Sequence, residues 1–404
     1  MTSQNLEALR REVRDWLRAN LPKGWGTPEY VPPQRYSRES HELGKEWTKK
    51  MYDAGYTGFN YPKEYGGIER PREEIAVIYE EMARTGTPGG PLSLGLLVAA
   101  PAILVHGEEW QKKRFIPKIL SGEESWCEGF SEPDAGSDLA NVQTTAVRDG
   151  DEWVVNGQKV WTSMWEFADW GLLVAKTEPD APRHRNLSYF LFDTTTPGFS
   201  RRPLRQMSGE AEFGEMFFDD MRVPHENMMD EQGRGWYVAM TALTAERSFG
   251  GTGFTGGAAA MGGLGTSDLL SANSLVELAR NTKRYGKSVW EESAFRQRIM
   301  QTAIELEAMR WSGARLAARM MKGTPIGNEA SLLKNFQAEM RQRRGDLTCE
   351  ILGAYSQMVR GSTRAVDEGD HVYNMLRARG ATIEMGTSEI NRNIIAERIL
   401  GLPR

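Results

Sequence analysis

The sequence predicts an α+β protein whose helices and strands lie in separate stretches of the chain. Helical patterns fill the region before Trp126, short runs rich in Val, Trp, Phe and Thr extend to about Val223, and long helical patterns return after Gly235. Apolar residues at helical spacing indicate amphipathic helices, and short β-branched and aromatic runs between turn residues indicate strands. A block of strands between two blocks of helices is typical of the α+β class.

The N-terminal block begins with an amphipathic helix. Leu9, Val13 and Leu17 follow helical spacing, and Pro22 ends the pattern. Glycine and proline residues separate the further predicted helices, which cover roughly 40–53, 73–84, 93–105 and 108–120.

The middle block reads as strands and the last block as helices. The segment EWVVNGQKVWTS (152–163) predicts a β-hairpin, because Asn156-Gly157 supplies the positive φ angles of a tight turn. The segments LSYFLFDTTTPGF (187–199) and EMFFDDMRVP (215–224) predict further strands. After Gly235, helices are predicted over roughly 236–258, 265–286, 291–322, 327–360, 363–378 and 387–400.

The composition of this 404-residue chain argues against several classes of function. Its net charge of −5 lacks the basic excess of nucleic-acid-binding proteins. Cys127 and Cys349 alone provide neither a disulfide framework nor a cysteine metal cluster, which favours a cytoplasmic location. The five histidines lack metal-ligand spacing, so no metal site is predicted. There is no apolar signal-peptide core and no run of about 18 apolar residues, so membrane insertion is not expected.

Two segments of the middle block have features that suit an anionic or fused-ring ligand. In SEPDAGSD (131–138), small residues after the turn let backbone N–H groups approach a pyrophosphate, although an ordinary surface turn has the same composition. In KVWTS (159–163), Trp161 and Ser163 lie near that turn if the strands pair. A flat aromatic beside small donors suits a fused-ring cofactor, but a single Trp is commonly a core residue.

Glu246 is a candidate general base. A carboxylate on an apolar helix face is desolvated, and its pKa rises toward neutrality, as general-base catalysis requires. The adjacent Arg247 leaves an ordinary ion pair as the alternative. The residues expected to share the helix face of Glu246 are all apolar or small: Ala239, Ala242, Leu243, Gly250 and Gly253.

Eight glycines lie between Gly250 and Gly265. Each costs a helix roughly 0.5–1 kcal/mol relative to Ala. They therefore indicate close packing, a wall hollowed for a bulky ligand, or a break in the helix.

Three segments, in this order, resemble motifs of the acyl-CoA dehydrogenase family. They are WCEGFSEPDAGSDLANVQTTA (126–146), VVNGQKVWTSMWEFADWGLLVAKT (154–177) and GTSEINRNIIAERILG (386–401). The resemblance runs along nearly the whole chain. It implies an N-terminal all-α domain (1–123), a middle β-barrel or β-sandwich domain (124–234) and a C-terminal four-helix bundle (235–404). It also implies FAD, bound between domains and subunits, and a homotetramer built as a dimer of dimers.

The resemblance also implies roles for individual residues. Phe130, Ser131, Gly136 and Ser137 match positions that line the flavin and its pyrophosphate, and Trp161 and Ser163 match positions that flank the flavin ring. Thr387 and Glu389 match further FAD contacts, and Arg247 matches a position at the substrate. The segment RYGKSVWEESAFRQR (284–298) aligns poorly with the family's flavin-contacting Arg and Gln, so neither is assigned.

The family chemistry is α,β-dehydrogenation of an acyl-CoA thioester, in which a carboxylate removes the α-proton and the β-hydride passes to flavin N5. The base is usually a Glu just before Gly-Thr-Ser, where this chain has Met385. Isovaleryl and long-chain relatives instead place the base on a C-terminal helix before an Arg, and Glu246-Arg247 occupies that position. Glu246 is therefore the expected base, and Met385 is expected to offer its backbone N–H to the thioester oxygen. Glu384, or no base at all, are the alternatives.

The acyl group is expected to be branched, cyclic or otherwise bulky, because a base on the helix accompanies such substrates in the family. The glycines after Glu246 fit a widened acyl cavity. Electron-transfer flavoprotein is the expected electron acceptor. The alternatives are an acyl-CoA oxidase, a flavin oxygenase relative, or a non-catalytic subunit of a mixed complex.

Overall fold

A computed structural model describes residues 3–27, 29–34, 36–88, 94–250, 272–322 and 327–403, and the side chains of 247–250, 317, 320 and 321 lie outside the description. The predicted α+β class is confirmed, since helices occupy both ends of the chain and strands occupy the middle. The chain divides into two compact units. Among the described residues, those up to Glu246 belong to the first unit and those from Arg247 onward belong to the second.

The first three helices of the N-terminal region pack around an apolar core that includes Val13, Trp47 and Ile78. The fully buried carboxylate of Glu81 lies 2.6 Å from Arg10 Nη1 and 2.5 Å from Arg14 Nε. Because Glu81 and the two arginines come from different helices, this ion cluster joins the third helix to the first. The helices are α1 (Ser3–Asn20), α2 (Arg38–Asp53), α3 (Arg72–Thr85), α4 (Ala100–His106) and α5 (Glu109–Ser121).

The middle region forms one mixed sheet with the strand order β6-β7-β3-β2-β4-β5-β8, and β1 pairs in parallel with β4. One face buries an apolar cluster that includes Cys127, Trp153 and Phe190. Successive residues of a strand point to opposite faces of a sheet, so one of the two sets of side chains enters this core. The strands are β1 (Trp126–Gly129), β2 (Thr145–Asp149), β3 (Glu152–Ser163), β4 (Trp170–Lys176), β5 (Leu187–Asp193), β6 (Phe199–Leu204), β7 (Phe213–Pro224) and β8 (Met228–Met229).

The predicted hairpin at Asn156-Gly157 is wrong, because β3 runs without a turn from Glu152 to Ser163. The β3–β7 register shifts between Val155 and Gly157, and the extra residue is on β7, where Asp220 has φ 50°. Asn156 clamps this bulge, since its amide nitrogen donates to Asp220 Oδ1 (2.9 Å) and its Oδ1 accepts from the Asp220 N–H (2.9 Å). A Cβ on Gly157 would lie 2.4 Å from Thr144 Oγ1, so close approach explains this glycine.

After Met229 the chain returns to helices, as predicted. The predicted helix over 265–286 is wrong beyond Asn281, because Tyr285 and Gly286 adopt positive φ angles and join two short strands. Among the described residues, no helix is long and apolar enough to cross a membrane. The elements are α6 (Gly235–Gly250), α7 (Ala272–Asn281), β9 (Lys283–Arg284), β10 (Lys287–Ser288), α8 (Ser293–Met321), α9 (Glu329–Leu352), α10 (Asp370–Ala381) and α11 (Ser388–Ile394).

Candidate functional site

The loop after β1 contains a tight turn followed by open backbone. Glu132 and Ala135 exchange two backbone hydrogen bonds of 3.0 and 3.1 Å, which close the turn over Pro133 and Asp134. A Cβ on Gly136 would meet no atom within 4 Å, and the following Ser137 is exposed. The loop therefore presents backbone groups and a hydroxyl that a ligand could approach closely.

The end of β3 lies against this loop. The Val160 N–H donates to Ser131 O at 2.9 Å, which brings the two predicted segments together. A second register shift between β3 and β7, with one extra residue on β3 between Lys159 and Thr162, breaks the side-chain alternation. Trp161 has φ 60° in this bulge, and its side chain is 57% exposed. Ser163 is the last residue of the strand.

A buried ion pair fixes the loop to the strand. The Lys159 ammonium is fully buried and donates to Glu132 Oε1 (2.8 Å) and Phe130 O (3.1 Å). Burial lowers the pKa of Lys159 to about 8, although the Glu132 charge acts in the opposite sense. Burial would raise the pKa of Glu132, but Lys159 and the N–H groups of Gln143 and Thr144 outweigh it and lower that pKa. The pair was not predicted from the sequence, where the available signal was a Glu and a Lys inside the two candidate segments.

Glu246 lies on the helix α6, whose inward face is apolar. Ala239 and Ala242 are fully buried, and Glu246, one turn beyond Ala242, is partly buried, in keeping with the predicted helix face. His106 bonds to Thr241 Oγ1 at 2.8 Å and so ties α4 to α6. The side chains of Arg247 and Gly250, and all of Gly253, lie outside the described residues.

A second carboxylate, Glu128, accompanies Glu246 in the first unit. Glu128 belongs to β1, and loss of hydration raises its pKa well above the ordinary value, with the charge of Glu246 adding to the effect. The pKa of the Tyr189 phenol on β5 is also raised. Burial is the larger cause, and the Glu128 charge adds to it. Glu128 was not predicted from the sequence to be a functional residue. A charged residue inside the run Trp-Cys-Glu-Gly-Phe was the available signal.

The loop 382–388 belongs to the second unit and has an unusual backbone. Met385 and Gly386 have φ angles of 55° and 84°, so two consecutive residues adopt the left-handed conformation. Gly386 O accepts from Lys334 Nζ (2.5 Å) and from Asn391 Nδ2 (2.7 Å), which fastens the loop to its neighbours. No acceptor among the described residues takes the Met385 N–H. The loop therefore offers a fixed backbone donor.

The other candidate residues in and next to this loop have three different surroundings. Thr387 caps α11, since its hydroxyl accepts from the Ile390 N–H at 3.2 Å. Glu389 is exposed. Glu384 Oε2 lies 2.9 Å from Arg377 Nη2, and both side chains are largely buried. In the described ranges, no cluster of three or more His, Cys, Asp or Glu residues could hold a metal ion.

Models of three acyl-CoA dehydrogenase domains match the chain: the N-terminal domain over residues 3–123, the middle domain over 127–221 and the C-terminal domain over 233–400. Acyl-CoA dehydrogenase IpdE1 of Mycobacterium tuberculosis (strain ATCC 25618 / H37Rv) is 36% identical over 405 residues, 99% of each chain.

Two solved structures have the same fold. The Tcur3481-Tcur3483 steroid ACAD superposes with a TM-score of 0.78 and 29% identity, over 100% of this chain and 99% of that chain. The ChsE4-ChsE5 complex from Mycobacterium tuberculosis gives 0.75 and 30%, over 100% and 99%. Together with the three matched domains, these likenesses show that the chain belongs to the acyl-CoA dehydrogenase family, whose members bind FAD and are oxidoreductases acting on CH–CH groups.

Proposed function

We propose that the chain catalyses the FAD-dependent α,β-dehydrogenation of an acyl-CoA thioester to the trans-2-enoyl-CoA, with Glu246 as the base. The observation that carries this proposal is the place of Glu246 on the inward face of α6, one turn beyond the buried Ala242. A carboxylate beside apolar residues gains proton affinity, which removal of a weakly acidic α-proton needs. Arg247, next in sequence, is proposed to contact the substrate.

Glu384 is less suited to this role. Its carboxylate is paired with the Arg377 guanidinium, with Oε2 at 2.9 Å from Nη2. The pair also fixes the direction of the side chain. We therefore retain Glu246 as the base and regard Glu384 as structural.

The Met385 N–H is proposed to stabilise the thioester oxygen as negative charge develops on it. The left-handed backbone of Met385 and Gly386 holds this donor in one direction, and the bonds from Lys334 and Asn391 to Gly386 O keep the loop in place. A donor that is oriented in advance stabilises a transition-state charge without reorganisation. In this role the Met385 side chain contributes little.

The residues around β1 and β3 fit a flavin. The exposed indole of Trp161 offers a flat surface, the Thr162 hydroxyl is buried without a partner among the described residues, and Gly136 leaves open space. When bound, FAD supplies the acceptor for the β-hydride. The residues proposed to hold it are Phe130, Ser131, Gly136 and Ser137 near the pyrophosphate and flavin, Trp161 and Ser163 at the ring, and Thr387 and Glu389 as further contacts.

A bulky acyl group is the proposed substrate class. Support comes from the likeness to the Tcur3481-Tcur3483 steroid ACAD and from the run of glycines that follows Glu246 in the sequence. A panel of straight-chain, branched and polycyclic acyl-CoA thioesters tests this proposal. Higher kcat/KM for straight chains of medium length than for the bulky members would contradict it.

The assembly and the electron acceptor are proposed separately. A homotetramer reducing electron-transfer flavoprotein is the simplest arrangement, whereas the ChsE4-ChsE5 complex shows a relative built from two different chains. Mass measurement and flavin content of the chain purified alone distinguish the two arrangements. A colourless protein that gains flavin only with a second chain would support a mixed complex. Peroxide release, compared with flavoprotein reduction, separates oxidase from dehydrogenase.

The decisive experiment is anaerobic titration of the flavin-loaded protein with acyl-CoA thioesters. We expect Glu246→Gln to slow flavin bleaching by roughly 1,000-fold, within the range that a general base contributes. The matched variant Glu384→Gln removes the same negative charge from the other candidate acid. Bleaching by Glu246→Gln at close to the wild-type rate would show that the base lies elsewhere.

A further inference from the structure

Arg344 lies in the apolar stripe of α9, within the second unit. The buried apolar residues at helical spacing on the same side of the helix are Leu333, Met340, Leu347 and Ile351. The last two belong to the core that α9 shares with α7 and α8. Arg344 is itself only 8% exposed. A guanidinium therefore occupies a position where the helix pattern predicts an apolar side chain.

The Arg344 guanidinium has no counter-charge in the part of the chain that the structure describes. Its Nη1 is buried without a hydrogen-bond partner, and no carboxylate of the described ranges pairs with the side chain. Burial lowers the pKa of Arg344 to about 10, and the charge of Arg341 acts in the same sense. The side chain therefore remains a cation at neutral pH.

The acids next to Arg344 on α9 and across from it on α8 are held by other cations. Glu305 of α8 lies 3.0 Å from Arg343, whose side chain is exposed. Asp346 of α9 pairs with Arg379 of α10. Either acid would have to leave its own arginine to reach Arg344. These neighbours therefore do not supply the missing charge.

A buried cation without a counter-charge destabilises a fold, because its lost hydration is not replaced. A guanidinium offers its N–H groups as a planar fork that matches a carboxylate or a phosphate. We propose that Arg344 binds an oxyanion, a carboxylate or a phosphate, of a small molecule held by the second unit. Such an anion would satisfy the buried N–H groups and the charge together.

The first test is thermal unfolding of the flavin-loaded protein in a sodium chloride buffer. Arg344→Met replaces the uncompensated charge with an apolar side chain, so we expect the melting temperature to rise by about 3 °C. Arg343→Met is the matched control and should lower it by less than about 2 °C, because its arginine is exposed. A lower melting temperature of Arg344→Met with its flavin retained would mean that the guanidinium has a partner in the chain, and would overturn the proposal.

The same variant distinguishes two sources of the oxyanion. If a phosphate of FAD is the partner, Arg344→Met should bind flavin about tenfold more weakly than the wild type, and its melting temperature should fall with the flavin lost. If a carboxylate of the acyl group is the partner, flavin binding is unchanged. An acyl-CoA thioester with a terminal carboxylate should then bind about tenfold more weakly to Arg344→Met, and its methyl ester should bind both proteins equally.

Titration with small anions gives a further check on the wild type itself. At constant ionic strength, inorganic phosphate or succinate should raise its melting temperature more than chloride does. Arg343→Met should keep this rise, Arg344→Met should lose it, and Arg344→Lys, which has the charge without the planar fork, should show part of it. The same response in all four proteins would overturn the proposal. None of these measurements requires turnover, so their outcome is independent of whether Glu246 is the base.

Discussion

Glu384 Oε2 lies 2.9 Å from Arg377 Nη2, so the carboxylate two residues before Gly386 is held by a cation of the preceding helix α10. We expect Glu384→Gln to change the rate of flavin bleaching by less than about threefold, since a side chain outside the chemistry acts only through the loop it supports. Stopped-flow reduction measures this, and Glu246→Gln is the matched comparison. A loss as large as that of Glu246→Gln would reassign the base.

Met385→Ala should retain most of the wild-type kcat, because the proposed contribution of this position is its backbone N–H. Met385→Gly is the matched control. Glycine adopts the φ of 55° without a Cβ penalty of about 1 kcal/mol, so we expect a slightly higher melting temperature than for Met385→Ala. Both variants are compared by flavin reduction and thermal unfolding. Abolished reduction in a folded Met385→Ala protein would place the function in the side chain.

Glu81→Gln should lower the free energy of unfolding by about 3 kcal/mol, because it breaks the buried ion cluster that joins α1 to α3. Glu80→Gln is the control. Glu80 also pairs with Arg10, at 2.8 Å, but its side chain is half exposed, and exposed pairs contribute less than about 1 kcal/mol. Urea unfolding of both variants gives the comparison. Equal destabilisation would mean that burial does not distinguish the two carboxylates.

Gly157→Ala should destabilise the protein, since the new Cβ would lie 2.4 Å from Thr144 Oγ1 and 2.7 Å from Thr144 Cα. Gly136→Ala should leave the melting temperature of the flavin-free protein unchanged, because its Cβ meets no atom within 4 Å. We expect Gly136→Ala to weaken flavin retention if backbone groups there approach the cofactor. Fluorescence of released flavin measures retention, and unchanged retention would remove Gly136 from the proposed FAD contacts.

Stability at alkaline pH should depend on Lys159. Its pKa is lowered from the ordinary 10.5 to about 8 in the folded protein. Between these values the unfolded chain holds the proton that the folded chain has released, so the contribution of Lys159 to stability rises with pH. Thermal unfolding of the wild type and of Lys159→Met from pH 7 to pH 10 compares the two. Above about pH 8, the melting temperature of the wild type should rise relative to that of Lys159→Met. A difference in melting temperature that stays constant with pH would contradict the assigned pKa.

The order of helices and strands was predictable because hydrophobic periodicity is a local property of sequence. The error at Asn156-Gly157 has a tertiary cause. This dipeptide is favoured in tight turns, but here Gly157 is required by the close approach of Thr144, and pairing with β7 extends the strand on both sides. The pairing of Glu132 with Lys159 depends on how the loop after β1 lies against β3, which the spacing of single segments does not reveal.

The two bulges in the β3–β7 pair compensate for each other, because one adds a residue to β7 and the other adds a residue to β3. The extra residue on β7 near Asp220 displaces the pairing by one position, and the extra residue on β3 near Trp161 restores it. The two ends of the strand pair therefore share one register, and the segment between the bulges is shifted from it by one residue. Deleting Trp161 alone would leave the end of β3 one position out of frame with β7. Deleting one residue from each strand would restore pairing but remove the outward-facing indole, so chain length here governs what the strand presents.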